Sequence, residues 1–77
     1  MSKELTELEI TTLNNVLHII ENQFDKSLEA TANVFDHDDE YVDFEVHFED
    51  ETYEQMKICR ADLSSNKTDK EIAEEVS

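Results

Sequence analysis

The chain contains no glycine and no proline. Without glycine there can be no phosphate-cradling loop of the Walker or Rossmann kind, which needs the backbone to approach a phosphate closely. Turns must rely on Asn, Asp, Ser and Thr, whose short side chains hydrogen-bond nearby backbone. There is one cysteine, Cys59, so no internal disulfide can form, and a lone thiol fits a reducing compartment. Residues Met1 to Leu5 hold no apolar stretch of the signal-peptide type, and no apolar run approaches the roughly 18 residues of a membrane span. The expected location is the cytoplasm. Cations are also scarce: 6 Lys and Arg stand against 21 Asp and Glu, for a formal charge of −15. That balance argues against nucleic acid and anionic membranes as direct partners.

With 77 residues the chain is long enough for one domain, 1–77, and too short for two. A domain of this size buries about 60% of the surface its unfolded chain exposes, so its core is thin. Hydrophobic residues are 38% of the chain, but they cluster in periodic segments, which marks a folded protein. Small domains usually carry a net charge of about 2–8 in magnitude. An excess beyond that costs stability through self-repulsion. It serves either solubility, as in halophilic adaptation, or a task for which the charge itself is the working part.

The apolar spacing predicts an α+β fold. Thr6-Glu7-Leu8-Glu9 matches a capping box, and Leu5 with Ile10 is placed as a hydrophobic staple. Ile10, Leu13, Leu17, Ile20 and Phe24 recur at spacings of three and four, widened by Val16 and Ile19, predicting an amphipathic helix over about 7–24. From Leu28 the period becomes two, predicting strands over about 28–35, 41–49 and 53–61. Val42, Phe44, Val46 and Phe48 face one way; Tyr41, Asp43, Glu45, His47 and Glu49 face the other. Continuing the apolar face through Met56 and Ile58 suggests Val46 opposite Met56 and Glu45 opposite Lys57, with a loop at Asp50-Glu51-Thr52. Thr68-Asp69-Lys70-Glu71 is a second capping-box candidate, so the tail from Ser64 is either loose or ends in a short helix over 69–76. The N-terminal helix then covers one face of a three-stranded antiparallel sheet, with Ala30 and Ala32 allowing close approach. The other face is left to solvent or to a partner.

Between Lys26 and Lys57 there is no Lys or Arg, and eleven acids. Ten of them, Asp36, Asp38, Asp39, Glu40, Asp43, Glu45, Glu49, Asp50, Glu51 and Glu54, span both hairpins and, with Tyr41 and Tyr53, form the candidate partner-binding surface. Alternate residues on a strand lie roughly 6.6 Å apart. Acids at that spacing present a line of charge comparable to successive phosphates of a nucleic-acid strand, a field that a phosphate-binding protein would recognise. Ordinary solvated faces mix both signs. Phe35, Tyr41 and Tyr53 fall on the same outward face by alternation, with Phe35 and Tyr41 expected to pair across the first hairpin, and exposed aromatics within an acidic rim suit interface anchors.

Other chemistries are poorly served. Asp36-x-Asp38-x-Glu40 begins like a calcium loop, but Tyr41 stands where glycine is needed and His47 where glutamate is needed. His18, His37, His47 and Cys59 show no paired metal-ligand spacing, so neither a metal nor a cofactor is expected. His18 is read as a structural residue at the edge of the helix stripe, and Cys59 as a part-buried small residue with no adjacent base. A thin sheet-and-helix domain offers little concavity for tuning a carboxylate pair, so no catalytic activity is expected.

In size, charge, missing Gly and Pro, and the acidic hairpin region Asp36–Glu54, the chain resembles the small acidic proteins with which bacteriophages take over their hosts. Several are DNA mimics that inhibit uracil-DNA glycosylase, restriction enzymes, CRISPR effectors, sliding clamps or the nucleoid protein HU. The resemblance covers the chain in character and contains no diagnostic motif, so it assigns no individual residue. The HU-inhibitor type is nearest in size and charge, and it implies a protein that fills the basic DNA-binding cleft of its target and excludes the duplex. An immunity protein or antitoxin masking a basic nuclease would use the same electrostatics. An acidic adaptor domain is the third alternative.

Overall fold

A computed structural model describes residues 4–24 and 26–76. Helix α1 (Glu7–Gln23) starts where the capping box places it: the Glu9 N–H donates to the Thr6 hydroxyl at 3.2 Å, and the Thr6 N–H donates to the Glu9 carboxylate at 2.9 Å. Its core-facing side carries Leu13, Val16, Leu17 and Ile20, and also Glu9. Ile10, expected in the stripe, is 44% exposed. The helix is turned so that position 9 points inward, because Glu9 has a buried partner described below. His18 is exposed rather than at the buried edge, with its ring 3.3 Å from the Glu21 carboxylate.

A single 3₁₀ turn at Lys26–Leu28 follows, and Glu29 then takes a left-handed conformation at φ 48°. In a glycine-free chain a non-glycine residue has to make this reversal, at some cost. The first strand therefore begins later than the alternation suggests. Strands β1 (Thr31–His37), β2 (Tyr41–His47) and β3 (Tyr53–Cys59) form an antiparallel sheet in the order β1-β2-β3. A bulge between Val34 and Asp36 interrupts the β1–β2 pairing. Ala30 and Ala32 are half-buried against the core, and the Ala32 N–H donates to the Glu21 carboxylate at 2.7 Å. A helix carboxylate thus occupies one donor of the edge strand, a contact that the two small side chains permit.

Two expectations about the second hairpin are corrected. Phe44, not Val46, faces Met56, and Asp43, not Glu45, faces Lys57. The strand ends two residues sooner because Phe48 leaves it to pack edge-on against Phe24, at 5.1 Å between ring centroids. The loop closes over residues 48–52, with Glu51 at φ 70°, the Phe48 N–H bonded to the Thr52 carbonyl at 2.9 Å, and the Asp50 carboxylate accepting from the Thr52 N–H. A shift of two residues preserves which side chains share a face, so the apolar alternation is satisfied by either register.

β3 stops at Cys59, two residues before the expected end, and Arg60–Ser64 forms a 3₁₀ turn that delivers Leu63 to the core. Cys59 is exposed, not part-buried. The tail is helical: α2 (Asp69–Val76) begins with the Glu71 N–H bonded to the Thr68 hydroxyl at 3.2 Å and buries Ile72 and Ala73 completely. Docking is what makes two turns of helix stable. The buried apolar residues of α1, β2, β3, Leu63 and α2 form one cluster. Both helices pack on the same side of the sheet, so the other side stays open.

Candidate functional site: the outward face of the sheet

The pairing of the strands arranges the outward side chains in rows. Thr31, His47 and Tyr53 form one; Asn33, Glu45 and Gln55 the next; Asp36, Asp43 and Lys57 the third; Tyr41 and Cys59 lie beyond. All are exposed except Asp43 and Glu45, which are half-buried in the centre of the sheet. No described segment packs over this face; the C-terminal helix lies on the core side.

Local bonds hold several of the carboxylates in place. The Glu45 carboxylate meets the His47 ring Nε2 at 2.8 Å and accepts from the Gln55 amide at 3.1 Å, and these bonds, His47 first, depress its pKa. Asp38 accepts from the N–H groups of Tyr41 and Glu40 at 2.7 and 2.8 Å, which depresses its pKa and closes the first hairpin without glycine. Asp50 does the same at the second hairpin, its pKa lowered by the Thr52 hydroxyl and then by the Thr52 N–H. The Asp36 carboxylate accepts from the His37 N–H at 2.8 Å.

The structure sorts the candidate residues into three groups. Asp43, Glu45, Asp36, Tyr41 and Tyr53 share the open face. Asp38, Asp39 and Glu40 sit in the hairpin loop at one end of β2; Glu49, Asp50 and Glu51 sit at the other end, separated by a seven-residue strand spanning roughly 20 Å. Glu54 is opposite Val46, which puts it on the core side at the exposed end of β3, away from the acidic face. The expected Phe35–Tyr41 pairing does not form: Tyr41 is opposite Cys59, and Phe35 is the unpaired residue of the β1 bulge, 51% exposed. The bulge shifts the strand by one residue, which alternation could not anticipate. Tyr53 stacks instead on His47 at 5.6 Å between centroids.

Two cations that lie outside the acid-only stretch of sequence enter this region in space. Lys57 reaches across the face to place its ammonium 4.7 Å from the centroid of the Tyr41 ring. Arg60, the only arginine in the chain, is buried behind the first hairpin. Its guanidinium donates to the Glu9 carboxylate at 2.7 and 3.3 Å, to the Asp38 carbonyl at 2.9 Å and to the Glu4 carbonyl at 2.8 Å, while its own N–H donates to the Glu40 carbonyl at 2.7 Å. Arg60 therefore ties α1 and the N-terminal segment to the acidic loop and sets where that loop stands. The signal in the sequence was its uniqueness: one arginine among 21 acids, at the end of a strand, is placed for a bidentate partner.

Among the described residues no group of three or more His, Cys, Asp or Glu is arranged to hold a metal ion, and no helix is long and apolar enough to cross a membrane. The arrangement is that of a small α+β protein with one open sheet face that carries Asp36, Asp43 and Glu45. Comparisons with protein-family models, curated proteins and solved structures find no match to the chain.

Proposed function

We propose that this protein is a DNA mimic that occupies the basic DNA-binding surface of another protein, of the HU-like nucleoid class, in the bacterial cytoplasm and excludes the duplex by competition. One observation carries the reading: the carboxylates of Asp36, Asp43 and Glu45 lie on an uncovered sheet face with an acidic loop at each end. Backbone and side-chain hydrogen bonds keep Asp38, Glu45 and Asp50 charged. Carboxylates already held by such bonds lose less freedom on binding, and negative charge steers a basic partner to them. Tyr41 and Tyr53 supply apolar contact within the acidic surface, as interface anchors do.

The test is displacement of a labelled duplex from purified HU by wild type and by a variant combining Asp36→Asn, Glu40→Gln, Asp43→Asn and Glu45→Gln. These changes keep size and hydrogen-bonding oxygens and leave the Asp38 turn intact. Wild type should displace the duplex, less effectively as salt rises, and the variant should need about tenfold more protein or above. Equal displacement by both moves the contact to another acidic surface. No displacement by either removes the DNA-mimic reading for HU and leaves the masking of a basic nuclease or an adaptor role.

A further inference from the structure

Lys57 is the only Lys or Arg on the outward face among the described residues. Its row explains why it is there. Asp36 and Asp43 face each other directly across β1 and β2, a like-charge pair that destabilises a sheet, and Lys57 faces Asp43 from the other side. Its ammonium rests over the Tyr41 ring, so an aromatic face one row from Asp43 already holds a cation in the free protein. Lys57 is exposed, and its long flexible stem can swing into water without disturbing the strand.

We propose that Lys57 is a placeholder: it fills the cation seat beside Tyr41 and Asp43 that an arginine of the basic partner takes on binding. This rests on the reading of the face as a surface for a basic partner and specifies the group it receives. Arginine is the expected occupant. Its guanidinium is planar and weakly hydrated, stacks on a ring better than an ammonium does, and can bond a carboxylate bidentately at the same time. An incoming lysine would only exchange one ammonium for another. Displaced, Lys57 moves to solvent, and the arriving charge takes its place in the row beside the Asp36–Asp43 pair.

The experiment uses hexa-arginine and hexa-lysine peptides as probes, titrated into the full chain by calorimetry at low salt. Lys57→Met should bind hexa-arginine about threefold tighter than Lys26→Met, which removes the same charge away from this face. Tyr41→Leu should change hexa-arginine affinity little in wild type, where the seat is filled, and weaken it about threefold in the Lys57→Met background. Hexa-lysine should show a smaller difference in both comparisons. In wild type alone, the Lys57 side-chain protons should be shifted upfield by the ring and move back as hexa-arginine is added. That measurement stands even if Lys57→Met fails to fold. Equal gains for Lys57→Met and Lys26→Met, additive effects of Tyr41 and Lys57, or Lys57 resonances that stay in place would each overturn the placeholder role. Failure of the HU competition with these results intact removes the mimic reading and leaves the seat standing; success there with unmoved Lys57 resonances does the reverse.

Discussion

Glu9 serves two structures at once. One carboxylate oxygen closes the capping box on Thr6, and both take the guanidinium of Arg60 in a nearly buried pair. The Arg60 bond, followed by the Thr6 bonds and set against desolvation, holds the Glu9 pKa at about 2, below its ordinary 4.5. The sign follows from linkage: a depressed carboxylate contributes stability that is complete above its unfolded value and lost as pH falls through the folded one. Glu9 should therefore stabilise the protein fully above about pH 4.5 and lose that contribution between there and about pH 2. Glu9→Gln removes the carboxylate charge that Arg60 bonds directly while its carbonyl bonds remain. The expected cost is about 2–3 kcal/mol, at or below the lower end for breaking a buried pair. In a domain this small that lowers Tm by roughly 10–20 °C. The variant should also lose part of the acid-induced destabilisation in that window. Thermal melts from pH 2 to 6 check both; parallel curves for the two proteins would show that the pair is not coupled to folding.

At the scale of elements, β2 is the one described strand paired on both edges, and its two faces meet different surroundings. Val42, Phe44 and Val46 are wholly buried toward the helices, while Tyr41, Asp43, Glu45 and His47 point outward. Phe44 is a wholly buried member of the core and stands opposite Met56. Phe44→Ala should cost about 3–5 kcal/mol, the range for truncating a buried Phe. That is a large share of the stability of a typical domain, so the variant should unfold at a much lower urea midpoint or be unfolded in buffer. A midpoint equal to wild type would mean that the sheet faces the other way. α2 shows the same dependence on packing: its eight residues stay helical because Ile72 and Ala73 enter the core.

For the whole molecule the controlling quantity is the −15 charge. Local pairing offsets little of it. Arg60 is taken by Glu9, and Lys67 is held between Glu75 at 2.9 Å and Asp62 at 3.3 Å, while the sheet face and both hairpin loops keep an excess of carboxylates. Folding gathers these charges closer than they stand in the unfolded chain, and salt screens the repulsion. Tm at pH 7 should rise by several degrees between about 0.01 M and 0.15 M salt, as the Debye length shortens from about 30 to 8 Å. Calorimetry over that range is the check. A flat or falling Tm would mean that attractive pairs outweigh repulsion across the surface.

Much of the architecture is written in local patterns. The capping box and three-four spacing specify α1 to within a residue at either end, the period of two specifies which residues of β2 face the core, and Thr68 marks the start of α2. These features depend on neighbours a few residues apart, so the sequence determines them without reference to the rest of the chain. The acid content of the two hairpins is equally plain in the sequence. What the tertiary structure decided was how the pieces meet. A period of two assigns faces but not register, so Lys57 could stand opposite Glu45 or Asp43, and the departure of Phe48 toward Phe24 chose Asp43. A bulge at Val34–Asp36 separated Phe35 from Tyr41. Glu9 turned inward in place of Ile10 because an arginine 51 residues further on is there to meet it. In the sequence the acidic stretch is free of Lys and Arg; folded, its face holds Lys57 and its first loop is braced by Arg60. Charges act through distance in space, and only the fold sets those distances.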